Sequence, residues 1–199
     1  MPRVKYKKFQ EKLEKASVFS LKTVQGEMGN GYAKVFIHRL REKGKIIPLI
    51  KGWYSFKETP YLITVPLGEA YIGLGTAAFL HGFWDQIPNV NVLTTKAPKK
   101  IKVGERIVGE RKVIVRRVSR KMYFGYETMK VDGESVRVSD LEKTLIDMIY
   151  FNYPFLDDIW KAMAGSLNKK KLALYIRKTS GVRGHKKIKR KIHSLTKAG

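Results

Sequence analysis

Cysteine is missing from all 199 residues. Without a thiol there is no disulfide framework, no thiolate zinc site and no cysteine nucleophile, so a zinc finger is excluded. Long apolar runs are missing too. Nothing approaches the roughly 20 residues that cross a bilayer, and "MPRVKYKKFQ" lacks the apolar core of a secretion signal, so a cytoplasmic protein is expected. Acidic side chains are scarce: seventeen Asp and Glu face forty-one Lys and Arg, for a net charge of +24 and a pI near 10.1. That excess goes beyond what solubility needs and points to a polyanionic partner.

What is present suits a globular chain. A hydrophobic share of 43% can fill one core of moderate size or two small ones. Charge divides the chain better than any linker. Residues 1–56 hold thirteen basic and four acidic side chains, 57–158 fifteen and thirteen, and 159–199 thirteen basic and no acidic one. Two cationic segments therefore flank a nearly neutral middle. No internal repeat is evident, and "HKKIKRK" alone approaches low complexity.

In the first segment, "KKFQEKLEKAS" sets Phe9, Leu13 and Ala16 at helical spacing. Ser20 stands where an N-cap belongs, before "LKTVQGEM" with Leu21, Val24 and Met28 apolar, and "GNG" at 29–31 then breaks the helix. A third helix from Tyr32 turns Ala33, Phe36, Ile37 and Leu40 inward and leaves Lys34, Val35, His38 and Arg41 outward, until Gly44 stops it. "KIIPLIKGWYSF" predicts a hairpin of 46–49 and 53–56 through Lys51-Gly52. Three helices and a hairpin in this order predict a winged helix-turn-helix over residues 1–57. A helix about 10–12 Å across fits a major groove about 12 Å wide. Lys34, Val35, His38 and Arg41 are assigned to the groove, and Asn30, Tyr32, Lys45 and Lys51 to the flanking backbone. A merely solvated basic face is the plainer alternative, and His38 could equally cap or pack. Trp53, Tyr54 and Phe56 are read as wing and interdomain core rather than base-stacking residues.

Residues 58–158 read as an α+β domain. "YLITV" and "EAYI" are strand-like, "GTAAFLHGF" a short helix, and "NVNVLTT", "KIKV", "RKVIVRRV", "YFGYETMKV" and "ESVRVS" strands, the last two joined at Asp132-Gly133. "SDLEKTLIDMIYF" is a helix capped by Ser139 or Asp140, with Leu141, Leu145, Met148 and Ile149 apolar. Asp140, Glu142, Lys143 and Asp147 are taken as capping and surface charge, with some intrahelical pairing.

The succession of "KGWYSF", "YIGLGTAAFLHGF" and "VRVSDLEKTLIDMI" over roughly residues 10–152 resembles the AbiEi family of antitoxins, from type IV toxin-antitoxin systems of abortive infection. The resemblance implies an N-terminal winged helix that represses its own operon. It also implies a following domain that neutralises a nucleotidyltransferase toxin, although relatives of this kind occur without a toxin, as plain transcriptional regulators. The basic tail lies outside the matched pattern.

Enzyme readings are weaker. "GLGTAA" at 73–78 fits a G-x-G-x-x-A dinucleotide fingerprint, but the helix is short and no acidic residue follows about twenty positions on. Small residues packing a helix closely on a sheet account for it. A metal-dependent nuclease would have Asp85, Asp132, Glu134 and Lys96 to draw on, yet Asp132 belongs to a turn and Glu134 to the strand beside it. The four histidines lack metal-ligand spacing. No enzyme, cofactor or metal is expected.

The tail, 159–199, has two helix-like pieces around "KLALYIRK" and "HKKIKRKIHSL". Arg183, Lys186, Lys187, Lys189, Arg190 and Lys191 are read as nonspecific nucleic-acid contacts, since so much unbalanced charge becomes favourable beside phosphates. A solvated tail, or a basic helix on an anionic membrane, are the other readings. The partners expected are double-stranded DNA at an operator or promoter and, from the resemblance, a cognate toxin. Homodimerisation stays open, and no membrane is invoked. Rival functions are a toxin-sequestering protein with secondary DNA binding, a metal-dependent nucleic-acid enzyme and an RNA binder; the last would need exposed aromatics.

Overall fold

In the computed structural model, which describes residues 4–95 and 103–197, the first segment runs through helix α1 (Val4–Ala16), strand β1 (Val18–Ser20), helices α2 (Leu21–Met28) and α3 (Asn30–Glu42), and strands β2 (Ile47–Ile50) and β3 (Trp53–Ser55). Local chemistry sets most of these boundaries. The Thr23 amide donates to the Ser20 hydroxyl at 3.0 Å, the expected N-cap. Gly29, at φ +78, separates α2 from α3. At the end of α3 the Lys45 amide reaches the Leu40 carbonyl and the Gly44 amide the Arg41 carbonyl, with Gly44 at φ +63. This is a Schellman ending, which the glycine permits. Helix α3 starts two residues earlier than the apolar pattern suggested, so Asn30 lies in its first turn rather than before it.

The strands form an antiparallel sheet in the order β1-β3-β2. Strand β1 is an addition that the sequence did not announce, since three residues carry too little pattern to register. It pairs Val18 with Ser55 and Ser20 with Trp53. Leu13, Phe19, Val24, Ala33, Ile37, Leu40 and Ile46 fill the core between helices and sheet. The Phe19 ring lies 5.2 Å from Phe56 and 5.8 Å from Tyr54, so those two aromatics do pack.

The second sheet has six strands in the order β6-β7-β5-β4-β9-β8: β4 (Ala70–Ile72), β5 (Val90–Thr94), β6 (Gly104–Val108), β7 (Arg111–Arg117), β8 (Tyr126–Val131) and β9 (Glu134–Ser139). Together with its helices it makes the chain α+β. Asp132 and Gly133 both take positive φ, +51 and +79, in the tight turn between β8 and β9. "YLITV" is corrected: it is not a strand but a 3-10 turn (Pro60–Ile63) running into helix α4 (Thr64–Leu67). Pro60 opens the turn, and Tyr61, Leu62 and Ile63 are all buried; burial on every side leaves no periodicity to tell helix from strand. Of "KIKV", residues 100–102 lie outside the described residues, as does Lys96.

Helix α5 (Leu74–Leu80) holds "GLGTAA" hard against its neighbours: a Cβ on Gly73 would collide with Leu93, and one on Gly75 with the Tyr153 hydroxyl. Helix α6 (Leu141–Tyr150) is capped by Asp140, whose carboxylate accepts the Lys143 amide at 2.9 Å. The expectation of surface charge on α6 fails. Glu142 is 3% exposed, and Lys143 and Asp147 are fully buried, because both faces of α6 are covered: the sheet side by Tyr71 and Leu74, the other by α7 (Leu156–Met163), α8 (Lys169–Lys178) and α9 (His185–Lys197). The cationic C-terminal helices are thus part of this core, through Leu172, Tyr175, Ile188, Ile192 and Leu195, and α7 runs straight through position 158/159.

A polar seam seats α8. The Tyr175 hydroxyl donates to Asp140 at 2.8 Å, while Lys171 bridges Asp140 at 3.2 Å and Glu142 at 2.9 Å. Burial alone would push the Glu142 carboxyl up, but the Asn168 amide and the Lys171 ammonium outweigh it and hold it below its usual range. Burial and the bond to Asp140 push the Tyr175 phenol up to about 12. A phenol raised above its unfolded value, about 10, contributes stability that is intact below that value and is lost as pH climbs through the folded one. The melting temperature should therefore fall between pH 10 and 12, and Tyr175→Phe should shallow that fall; an identical profile in the variant would show that this phenol does not hold α8.

Candidate nucleic-acid interface

Helix α3 sorts its side chains as the sequence predicted. Ala33, Ile37 and Leu40 are buried, whereas Asn30, Tyr32, Lys34, Val35, His38, Arg39 and Arg41 are exposed. Lys34, His38 and Arg41 follow one another at four and three residues on one flank, over about 10 Å of axis at 1.5 Å per residue. Val35, 43% exposed, stands beside them. Lys45 and Lys51 are exposed as well, Lys45 just past the end of α3 and Lys51 at the β2–β3 turn next to Gly52, which has φ +78. Tyr32 is less free than its assignment assumed. Its ring stacks on Tyr6 of α1, centroids 5.1 Å apart, and so braces the first turn of α3.

No carboxylate among the described residues lies within ion-pair distance of Lys34, Arg39, Arg41, Lys45 or Lys51, so their charge faces solvent without internal compensation. No side chain caps the start of α3, which leaves the amides of its first turn, at the positive end of the helix dipole, without a side-chain acceptor.

At the β8–β9 turn one hydrogen bond ties the first segment to the second sheet, and a second holds the connection that follows that segment. The Ser17 hydroxyl donates to Glu134 at 2.9 Å, and the Thr59 hydroxyl to Asp132 at 2.8 Å. Asp132 and Glu134, two of the three carboxylates considered for a nuclease, thus have structural partners. Among the described residues no group of three or more His, Asp or Glu is arranged to hold a metal ion, and no helix is long and apolar enough to cross a membrane.

The tail candidates divide. Arg183, Lys186, Lys189 and Arg190 are exposed. Lys187 is half-buried and donates to the Tyr150 carbonyl at 3.0 Å, and burial lowers its ammonium below the ordinary lysine value. Lys191 pairs with Asp157 at 2.8 Å. These two serve packing of α9 on α6 and α7, a partnership the one-sided composition of 159–199 had hidden because Asp157 lies just before it.

No family model matches the chain, and no curated protein matches it. Among solved structures it is similar to the Rv2827c protein from Mycobacterium tuberculosis, with a TM-score of 0.54 and 16% identity, over 89% of this chain and 72% of that one. At that identity the likeness is one of fold alone: the α+β arrangement extends along most of this chain and about seven-tenths of the other.

Proposed function

We propose that the protein is a sequence-specific DNA-binding transcriptional regulator, in which α1, α2, α3 and the β2–β3 hairpin act as a winged helix-turn-helix. The observation that carries the reading is the exposed, uncompensated cationic flank of α3 with Lys51 at the adjoining hairpin tip, set on a helix whose opposite face is locked into the core. In this reading α3 enters the major groove with Lys34, Val35, His38 and Arg41, while Asn30, Tyr32, Lys45 and Lys51 meet phosphates. Arg183, Lys186, Lys189 and Arg190 add nonspecific affinity. The resemblance to AbiEi antitoxins makes the regulated promoter the protein's own, and gives the second sheet and its helices the neutralisation of a cognate nucleotidyltransferase toxin.

Binding to a duplex from the upstream promoter, followed by fluorescence anisotropy across a salt series, tests the DNA reading. The logarithm of affinity should fall linearly with the logarithm of salt, by about 0.9 for each phosphate neutralised, and an unrelated duplex of equal length should bind more weakly. Equal affinity for both duplexes at every salt concentration would remove the claim of sequence specificity. Co-purification with the product of the neighbouring gene tests the toxin separately.

A further inference from the structure

Away from α3, a cleft of about 330 Å³ opens beside the second sheet, small for a macromolecule and within the range of small-ligand sites. Its floor comes from two parallel strands. Asn91 of β5 lies in register with Ile114 of β7, and Arg116 is two residues further along the same face. Its wall is aromatic: Trp84, from the loop after α5, lies 5.5 Å from Phe155, and Phe155 lies 5.9 Å from Tyr153, both in the connection between α6 and α7. Thr76 ties that first loop down, donating to the Asn89 carbonyl at 2.9 Å and accepting the Asn91 amide at 2.9 Å.

Two polar groups here are left incomplete by the protein itself. Asn91 is 2% exposed on a strand otherwise of apolar and Thr side chains. Its Nδ2 donates to the Asn89 carbonyl at 2.8 Å, but its Oδ1 has no partner. Arg116 has a buried Nε with no acceptor; its guanidinium sits 5.5 Å from the Phe151 ring, and among the described residues no carboxylate lines the cleft. A buried polar atom without a partner is costly, so such atoms gather where something else completes them. At the rim, Phe155 is 42% and Ile87 71% exposed, more apolar surface than packing requires at one spot.

An aromatic wall takes a planar ring, and a guanidinium fork without a carboxylate takes an anion, for which its geometry suits phosphate. We propose that this cleft binds a mononucleotide unit, its base against Phe155 and Trp84 and its phosphate on Arg116. The unit is either a free nucleotide or an unpaired residue of a strand; the site chemistry is the same, and it stands independently of the duplex-binding surface on α3.

The full chain is titrated with AMP, GMP, CMP and UMP, reading tryptophan fluorescence and melting temperature. At least one nucleotide should quench fluorescence saturably and raise the melting temperature, and the quench should vanish in Trp84→Phe. Phe155→Ala and Arg116→Gln, each with its ligand-free melting temperature measured beside the parent's, should weaken binding at least tenfold, with Arg116→Lys in between. A 5′-phosphorylated tetranucleotide that binds more tightly than any monomer assigns the unit to a strand, and one that binds more weakly assigns it to the free nucleotide; both uphold the site. No quench or thermal shift with any of the four overturns the proposal. So does ribose 5-phosphate binding as tightly as the nucleotides, which would leave a bare anion site, or an unchanged affinity in Phe155→Ala.

Discussion

Asp147→Ala is expected to be the most damaging single substitution in the second half of the chain. Asp147 and Lys143 lie one helical turn apart on α6, both fully buried, in an ion pair whose ammonium also donates to the Tyr71 hydroxyl at 2.8 Å. That hydroxyl in turn donates to Asp147 at 2.9 Å. Lys143 further lies 5.1 Å from the Tyr71 ring and 5.2 Å from that of Phe124. Burial pushes the Lys143 ammonium down and the Asp147 carboxyl up; their mutual attraction opposes this, helped by the Tyr71 hydroxyl at Asp147 and the Asp140 charge at Lys143. Removing the carboxylate strands the cation in an apolar core, which costs about 3–5 kcal/mol. That is a large share of the roughly 5–15 kcal/mol that holds a typical domain together. A fall in melting temperature on the order of 10 °C should follow. Lys143→Met with Asp147→Leu removes both charges and should recover most of the loss, provided Tyr71→Phe removes the stranded hydroxyl as well. If Asp147→Ala melted within a degree of the parent, the triad would not be the closed unit described.

That triad also marks where the sequence stops being readable. The i, i+4 spacing of Lys143 and Asp147 was legible, as was the Asp140 cap, but spacing on one helix says nothing about what covers it. Helix α7 and the two cationic helices after it, α8 and α9, bury α6, and the polar faces of α8 and α9 had drawn all the attention. The turn residues fared better. Gly29, Gly44, Gly52 and the Asp132-Gly133 pair stand at positive φ, where backbone sterics alone decide, and they fixed the helix and hairpin boundaries before any packing was known. Candidate groove residues were legible for the same local reason, since the inward stripe of Ala33, Ile37 and Leu40 forces the opposite flank outward. "YLITV" and β1 escaped because one has no alternation and the other no length. The mononucleotide cleft was invisible in principle: Trp84, Asn91, Arg116 and Phe155 come from four separate elements, and what distinguishes them is an unpartnered atom, which only a structure can reveal.

The second large effect concerns the two kinds of contact proposed for the first segment. Arg41 is the penultimate residue of α3, on the flank of Lys34 and His38; Lys51 sits at the hairpin tip, beyond the reach of base edges if α3 fills the groove. Arg41→Ala should therefore lower affinity for the preferred duplex by about 10- to 100-fold, the 1–3 kcal/mol of a base contact, while barely changing binding to an unrelated sequence, so that selectivity collapses. Lys51→Ala should weaken both duplexes alike and reduce the salt slope by about one. Neither change touches the core, since both side chains are exposed and neither forms an ion pair among the described residues, so melting temperatures should match the parent. The two outcomes are separable because base contacts carry sequence information with little added charge transfer, and phosphate contacts the reverse. Were Arg41→Ala to shift the salt slope and leave selectivity intact, α3 would lie along the backbone rather than in the groove, and the reading side of this protein would have to be sought on another element.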